Sequence, residues 1–257
     1  MPGPLAEFLA GQVWALFIVF VRVGAAFAVL PGFAEAFVPA RIRLLLAAAM
    51  TAVVAPTVAA GLPQLPVEPL AMAATIAGEA VVGLFLGLVA RLILMAAHVA
   101  GVVIGFQTAL ASAFAFDPGT QQQGLITSAW MTLLALVVLF AADLHHVLIR
   151  AVADSYGLFP AGRMPDPGEF AEAATRFVSR SFALGMRMAM PFLAYATLLF
   201  VGLGLMQRLM PQMQVFFVAM PLQVMLGLIL FAMGTTTAMT IYAEEIAQSF
   251  VGLLRTP

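Results

Sequence analysis

The sequence predicts an all-α, polytopic membrane protein with long, tilted or bent helices, and three observations carry that reading. Of its 257 residues, 63% are hydrophobic and 9% charged, whereas a soluble domain is about half apolar and about a quarter charged. Apolar stretches of about 20 residues, the length that crosses the hydrocarbon core as a helix, recur from one end of the chain to the other. No stretch alternates with the period of a transmembrane β-strand. So much apolar surface excludes a soluble enzyme or binding module. Eleven basic against 12 acidic residues leave a net charge of −1 and no phosphate-binding patch, so nucleic acid is not an expected partner. Disorder would need low hydrophobicity. The chain has no cysteine, which removes disulfides, thiolate metal sites and redox motifs. Every basic residue is Arg.

Seven stretches qualify as spans: residues 9–30, 42–62, 70–90, 92–113, 125–142, 188–206 and 214–242. They predict one integral membrane domain over residues 1–257. Its longest polar connection, 143–187, carries five acids and five Arg, with an amphipathic helix expected near 170–180. The opening residues, MPGPLAEFLA, lack a basic n-region, so the first span is expected to be retained rather than cleaved. Two features strain the count of seven. No turn chemistry lies between 89 and 93, so residues 70–105 can form one helix of roughly 54 Å, longer than a bilayer is thick. Residues 213–250 are also over-long, with Pro221 as their kink point. Orientation follows the Arg distribution. If all seven spans cross, alternate connections collect nine of the eleven Arg residues, Arg22 lies inside a span, and the opposite set holds only Arg208. The N-terminus is therefore expected outside and the C-terminus inside.

Buried charge in a membrane helix is costly and points to pairing or function. Arg22 and Glu79 are the two such residues. Glu79, Gly83 and Gly87 are spaced at i, i+4 and i+8, on one helix face, where small residues let a second helix approach closely. Glu79 therefore points at protein, with Arg22 the candidate partner within the chain; proton transfer is the competing role. A second small-residue stripe runs Ala97, Gly101, Gly105, Ala109, Ala113. Beyond it the chain reads Phe114, Ala115, Phe116, Asp117, Pro118, Gly119, Thr120 and then Gln121, Gln122 and Gln123. Asp-Pro-Gly is a turn, and glutamines avoid lipid. The segment is either an aqueous loop or a re-entrant segment lining a pore, in which Phe106, Leu110, Phe114 and Phe116 supply bulky apolar fill. His145 and His146 follow Asp143, but adjacent side chains on a helix are expected to diverge, so no metal site is expected. Ten of the sixteen Met residues lie beyond residue 185, where they suit adaptable helix contacts. No Ser-His-Asp set, phosphate loop or paired-carboxylate site is evident, and no cofactor is expected.

Several stretches together resemble the FliR family of flagellar biosynthetic proteins. They begin with Arg22-Val23-Gly24, Leu30-Pro31-Gly32-Phe33 and Val38-Pro39-Ala40-Arg41-Ile42-Arg43. Gly78-Glu79 with Gly83 and Gly87 follows, then Gly105-Phe106-Gln107 through Phe116-Asp117-Pro118 and Gln123. His145-His146-Val147-Leu148-Ile149, Phe159-Pro160-Ala161-Gly162 and Pro211 through Gln223 complete the order. Gln214 stands where Asn is usual, and Thr108 where Met is frequent. The resemblance implies a core subunit of the flagellar type III export gate, in the cytoplasmic membrane at the basal body. It implies one copy assembled with several FliP and FliQ homologues in a helical ring, with FlhB and FlhA homologues nearby, and unfolded flagellar proteins as cargo. It implies a fold like a fused FliP and FliQ, standing largely above the ordinary membrane plane. The residues matching the family's plug loop are Gly105, Phe106, Gln107, Leu110, Phe114, Phe116, Asp117 and Pro118. Such a subunit is not an enzyme; an associated ATPase and the proton motive force supply the energy.

Three other readings compete. One is the injectisome counterpart of the same gate. Another is a small-solute secondary transporter, which would call for inverted repeats and polar groups at mid-span on broken helices; no convincing repeat is present. The third is a purely structural membrane subunit, which differs only in whether this chain lines the pore.

Overall fold

The computed structural model describes residues 4–110, 126–212 and 215–255. In chain order these form α1 (Pro4–Phe27), α2 (Ala40–Val58), α3 (Pro69–Gln107), α4 (Ile126–Ala141), α5 (Leu144–Leu158), α6 (Pro167–Leu209) and α7 (Val215–Arg255). A single 3-10 turn, Ala59–Gly61, follows α2. No strand occurs among the described residues.

The expected count of seven spans needs correction. Among the described residues five helices are long and apolar enough to cross a bilayer, and a sixth is reached if α4 and α5, interrupted at Ala142 and Asp143, act as one broken span. The stretches 70–90 and 92–113 do not make two crossings, because residues 69–107 form one helix of 39 residues. Val89 to Ile93 contains no residue that stops a helix, and Arg91 is accommodated there by an ion pair with Glu35 at 2.9 Å. The amphipathic segment near 170–180 is likewise not a separate element. It is the opening of the 43-residue α6, where the charged residues sit before the apolar run begins.

Local chemistry explains most helix ends. Pro occupies the first position of both α3 and α6, where its fixed φ is pre-organised and its missing N–H costs nothing. Before α6, Asp166 Oδ1 accepts the Gly168 N–H at 2.6 Å and the Glu169 N–H at 3.4 Å, an N-cap that satisfies two otherwise orphaned donors. Asp143, with φ 56°, is left-handed and separates α4 from α5. Ala109, with φ 57°, ends the α3 path the same way. Pro191 lies inside α6 and Pro221 inside α7.

The residues group into two compact units. The first comprises Met1–Leu92, Asp143–Val178 and Ala247–Pro257; the second comprises Ile93–Ala142 and Ser179–Ile246. The core of the first is built from α1 (Ile18, Val19, Val23, Ala26, Phe27), α3 (Val82, Leu86, Val89) and α5 (Leu148, Ala151, Val152), all buried. Close approach of α1 to α3 depends on two glycines. A Cβ on Gly83 would lie 2.2 Å from the Arg22 carbonyl oxygen, and one on Gly87 would lie 2.8 Å from that of Ala26. Phe170 packs on Phe85, ring centroids 4.3 Å apart, and on Phe159 at 5.3 Å.

The second unit buries Ala97, Ala100 and Ile104 of α3, Met131 and Leu139 of α4, Met188 and Phe192 of α6, and Tyr242 of α7. Here too glycines set the spacing: a Cβ on Gly101 would meet Ser128 Cα at 2.4 Å, and one on Gly185 the Ala96 carbonyl oxygen at 2.8 Å. Large apolar side chains of α6 and α7, among them Leu198, Leu209, Phe217 and Met233, face outward. In water such a surface would be a liability; lipid or apolar partner helices suit it.

Candidate functional site

The site of the first unit grows from one cation. Arg22 on α1 and Glu79 on α3 are each 1% exposed. Arg22 Nε donates to Glu79 Oε2 at 2.7 Å and Nη2 donates to Oε1 at 3.2 Å, the forked geometry that makes an Arg–carboxylate pair strong. Nη2 also donates to the Phe159 carbonyl at 2.9 Å, and Nη1 to Ser155 Oγ at 3.2 Å. Ser155 in turn donates to the Val152 carbonyl. The Gly162 N–H donates to Glu79 Oε1 at 3.0 Å. The guanidinium carbon lies 3.8 Å from the centre of the Tyr156 ring, within cation–π range. A buried ion pair is tolerable only when geometry is good and the remaining donors and acceptors are filled. Here four of the five guanidinium donors and both carboxylate oxygens are filled.

Each partner is delivered by a local feature of the chain. Glu79, Gly83 and Gly87 share one face of α3, so the carboxylate arrives where the glycines admit α1. Ser155 and Tyr156 lie in the last turn of α5, and Phe159 ends it. Gly162, with φ 79°, turns the connection so that its N–H reaches Glu79, and a Cβ there would lie 2.9 Å from Pro63 Cγ. The network ties α1, α3 and the α5–α6 connection into one body. Sequence reading singled out Arg22 and Glu79 but not Ser155, Tyr156, Phe159 or Gly162 as their partners. The sequence marks them only by a Ser and a Tyr, next to Asp154, shortly before Phe-Pro-Ala-Gly.

Two further Arg residues of the first unit hold the segment between α1 and α2. Arg43 donates from Nε to the Phe33 carbonyl at 3.1 Å, and Arg91 Nη1 meets Glu35 Oε1 at 2.9 Å. In the second unit Arg180 Nε donates to Glu245 Oε1, with Arg187 Nη1 3.6 Å from Oε2. Sequence reading assigned no partner to Glu245.

The residues expected to close a channel are placed as follows. Gly105, Phe106 and Gln107 are the last three of α3, and Leu110 follows shortly after. Gly105 is buried and Phe106 is exposed. Phe114, Phe116, Asp117 and Pro118 lie outside the described residues, as do Ala113 and the three glutamines. On the small-residue stripe, Ala97, Gly101, Gly105 and Ala109 are buried, and Gly101 meets Ser128 of α4. Thr108 is fully buried, and a Cβ on Gly227 would lie 2.6 Å from its own Cβ. Gln223 Nε2 donates to the Gln107 carbonyl at 3.2 Å, and Tyr195 donates its hydroxyl to the Gln223 carbonyl at 3.0 Å. The end of α3 is therefore held by α7.

The expectation that His145 and His146 diverge is also corrected. Their ring centroids are 4.1 Å apart, and His146 Nδ1 lies 3.6 Å from Asp143 Oδ1. Both histidines lie in the first turn of α5, so their side-chain rotamers bring the rings together, while the left-handed Asp143 brings its carboxylate alongside.

Long apolar helices, glycine-mediated packing and a fully buried Arg–Glu pair define a polytopic helical membrane protein. Comparison with known proteins narrows the class. A family model for bacterial export proteins, family 1, matches residues 13–249, and the chain belongs to that family. It is 34% identical over 236 residues to the flagellar biosynthetic protein FliR of Caulobacter vibrioides, covering 92% of this chain and 94% of that one. It is 29% identical over 219 residues to FliR of Bacillus subtilis, covering 84% of each. A more distant likeness, 27% over 163 residues, links it to the Yop proteins translocation protein T of Yersinia pestis, covering 63% of this chain and 62% of that one.

Proposed function

We propose that this chain is the FliR-type core subunit of a flagellar type III export gate. It sits in the bacterial cytoplasmic membrane at the basal body, with its N-terminus outside and C-terminus inside. In this reading one copy joins FliP and FliQ homologues in a ring, FlhB and FlhA homologues lie nearby, and unfolded flagellar proteins pass through the channel. The chain catalyses nothing. The observation that carries the reading is the 34% identity to a FliR protein along almost the whole length of both chains. The flagellar reading is preferred over the injectisome one because the Yersinia likeness is weaker and covers less of the chain. The outward-facing apolar residues of α6 and α7 support helix neighbours from other subunits or lipid. Arg22, Glu79, Gly83, Gly87 and Gly101 act as packing anchors that give the subunit a fixed form, while Gly105 to Pro118 acts as the closure.

The test is co-purification. A tagged copy of this chain, extracted in mild detergent, is expected to bring down FliP and FliQ homologues in one complex, and deletion of its gene is expected to leave cells without flagella. A chain that purifies alone from cells expressing those homologues, or a deletion strain that still builds flagella, would refute the assignment.

A further inference from the structure

We infer that Asp143, His145 and His146 form a binding site for a divalent first-row transition cation such as Zn²⁺, Ni²⁺ or Cu²⁺. Each residue offers one ligand atom, and these atoms all lie within 4.8 Å of one another. Ligand atoms about 2.1 Å from one tetrahedral ion stand roughly 3.4 Å apart, so the three side chains must draw together by up to about 1.4 Å to close on one ion. Two imidazoles and one carboxylate select borderline metals over Mg²⁺ or Ca²⁺, which take oxygen ligands. The side chains of Asp143 and His146 are 78% and 71% exposed, so the chain itself does not cover the site.

One backbone feature places the carboxylate. Asp143 adopts φ 56° immediately before α5, a conformation that Asp tolerates better than most residues. It places the carboxylate beside the first turn of α5, where both imidazoles stand with centroids 4.1 Å apart. An ion held there would fix the start of α5, and Ser155 and the Phe159 carbonyl at the other end hold Arg22. Both ends of α5 would then be pinned within the first unit.

The test uses the full chain, purified in detergent with a tag free of histidine and stripped with EDTA, then titrated with Co²⁺ followed by visible absorption and with Zn²⁺ in competition. One equivalent of Co²⁺ is expected to bind with a d–d band that Zn²⁺ abolishes. His145→Ala and His146→Ala are each expected to weaken Co²⁺ binding at least ~10-fold. Asp143→Asn, which preserves shape and the left-handed preference, guards against a folding artefact and is expected to weaken binding as well. His98 is the only other histidine of the sequence, and His98→Ala is expected to leave the titration unchanged. No stoichiometric binding, or variants at Asp143, His145 and His146 that bind like the parent, would overturn the proposal. So would loss of binding in His98→Ala.

Discussion

Gln223 on α7 donates its side-chain N–H to the main-chain carbonyl of Gln107, the last residue of α3, at 3.2 Å. The last carbonyls of a helix have no intrahelical partner, and Gln223 satisfies this one across 116 residues of sequence. Gln223 itself is only 9% exposed, so the loss of either group leaves a buried polar atom.

Gln223→Leu is expected to leave the Gln107 carbonyl unsatisfied at a cost of about 1–3 kcal/mol. Tyr195→Phe, which removes only a neutral donor to the Gln223 carbonyl, is expected to cost less, about 0.5–1.5 kcal/mol. Thermal unfolding of the purified complex measures both. Equal midpoints for Gln223→Leu and the parent would mean that water or another donor takes over the carbonyl.

Arg22 and Glu79 should show the asymmetry of a buried pair. Removing one partner strands the other charge, at about 3–5 kcal/mol. Arg22→Met and Glu79→Leu are therefore each expected to reduce the amount of assembled complex sharply. The double variant is expected to recover part of the loss, because no bare charge remains, although Ser155, Phe159 and Gly162 still lose partners. Abundance of the complex on native gels reads this directly. If Glu79→Leu assembles normally but export loses its proton dependence, the anchor role fails and a relay role replaces it.

How far these features were legible in the sequence depends on the kind of signal. The helical repeat of about 3.6 residues is enough to place Glu79, Gly83 and Gly87 on one face, and the cost of charge in an apolar span is enough to suggest that Arg22 faces Glu79. The rest of the network is main chain and turn: the Phe159 carbonyl and the Gly162 N–H are groups that every residue carries, so nothing in residue type marks them. The span count failed for a related reason. Hydropathy locates apolar residues but not helix ends, and between Val89 and Ile93 there is no breaker, so two windows of bilayer length are one helix. The approach of Asp143 to His146 depends on a positive φ at a single Asp and that of the two imidazoles on side-chain rotamers, neither of which the sequence specifies.

The glycines of the sequence predict substitutions of opposite sign. Gly83→Ala puts a Cβ 2.2 Å from the Arg22 carbonyl oxygen, so α1 must retreat, and overpacking of this kind costs about 1–3 kcal/mol. Gly157, within α5, has nothing within 4 Å of its Cβ position. There, Gly157→Ala is expected to stabilise by about 0.5–1 kcal/mol through reduced freedom of the unfolded helix. Unfolding midpoints that move in the same direction would contradict the packing described for α1 on α3.

Topology tests the span count as well as the orientation. Five crossings put the two ends on opposite sides, whereas six crossings, with α4 and α5 joined as one broken span, put them on the same side. The Arg distribution expects the N-terminus outside and the C-terminus inside. Reporter fusions at Pro2 and Pro257 are expected to report opposite compartments, and a cytoplasmic signal from the N-terminal fusion would reject the assignment.

Of the eight closure residues, Gly105, Phe106, Gln107 and Leu110 lie among the described residues. Bulky apolar side chains in a narrow channel stop water and ions by steric fill and dewetting, and Phe106, Leu110, Phe114 and Phe116 supply such groups. Small neighbours at Gly105, Ala109, Ala111, Ser112 and Ala113 are the residue types that the proposed closure needs for close backbone approach to other chains. Apolar closure also suits a passage for many unrelated polypeptides, since it demands no sequence match. At the near end the segment is fastened: Gln107 is held by Gln223, and Thr108 is fully buried against Gly227. Any movement must then arise beyond Thr108, so the deletion that tests it should spare the fastened end. Removal of residues 110–116 is expected to leave the complex assembled and raise ion leakage across the membrane. Gln223→Leu, which loosens the fastening without shortening the segment, is expected to leak less than the deletion. An assembled, shortened complex in a tight membrane would show that closure lies elsewhere, and failure to assemble would show that residues 110–116 pack the subunit together instead.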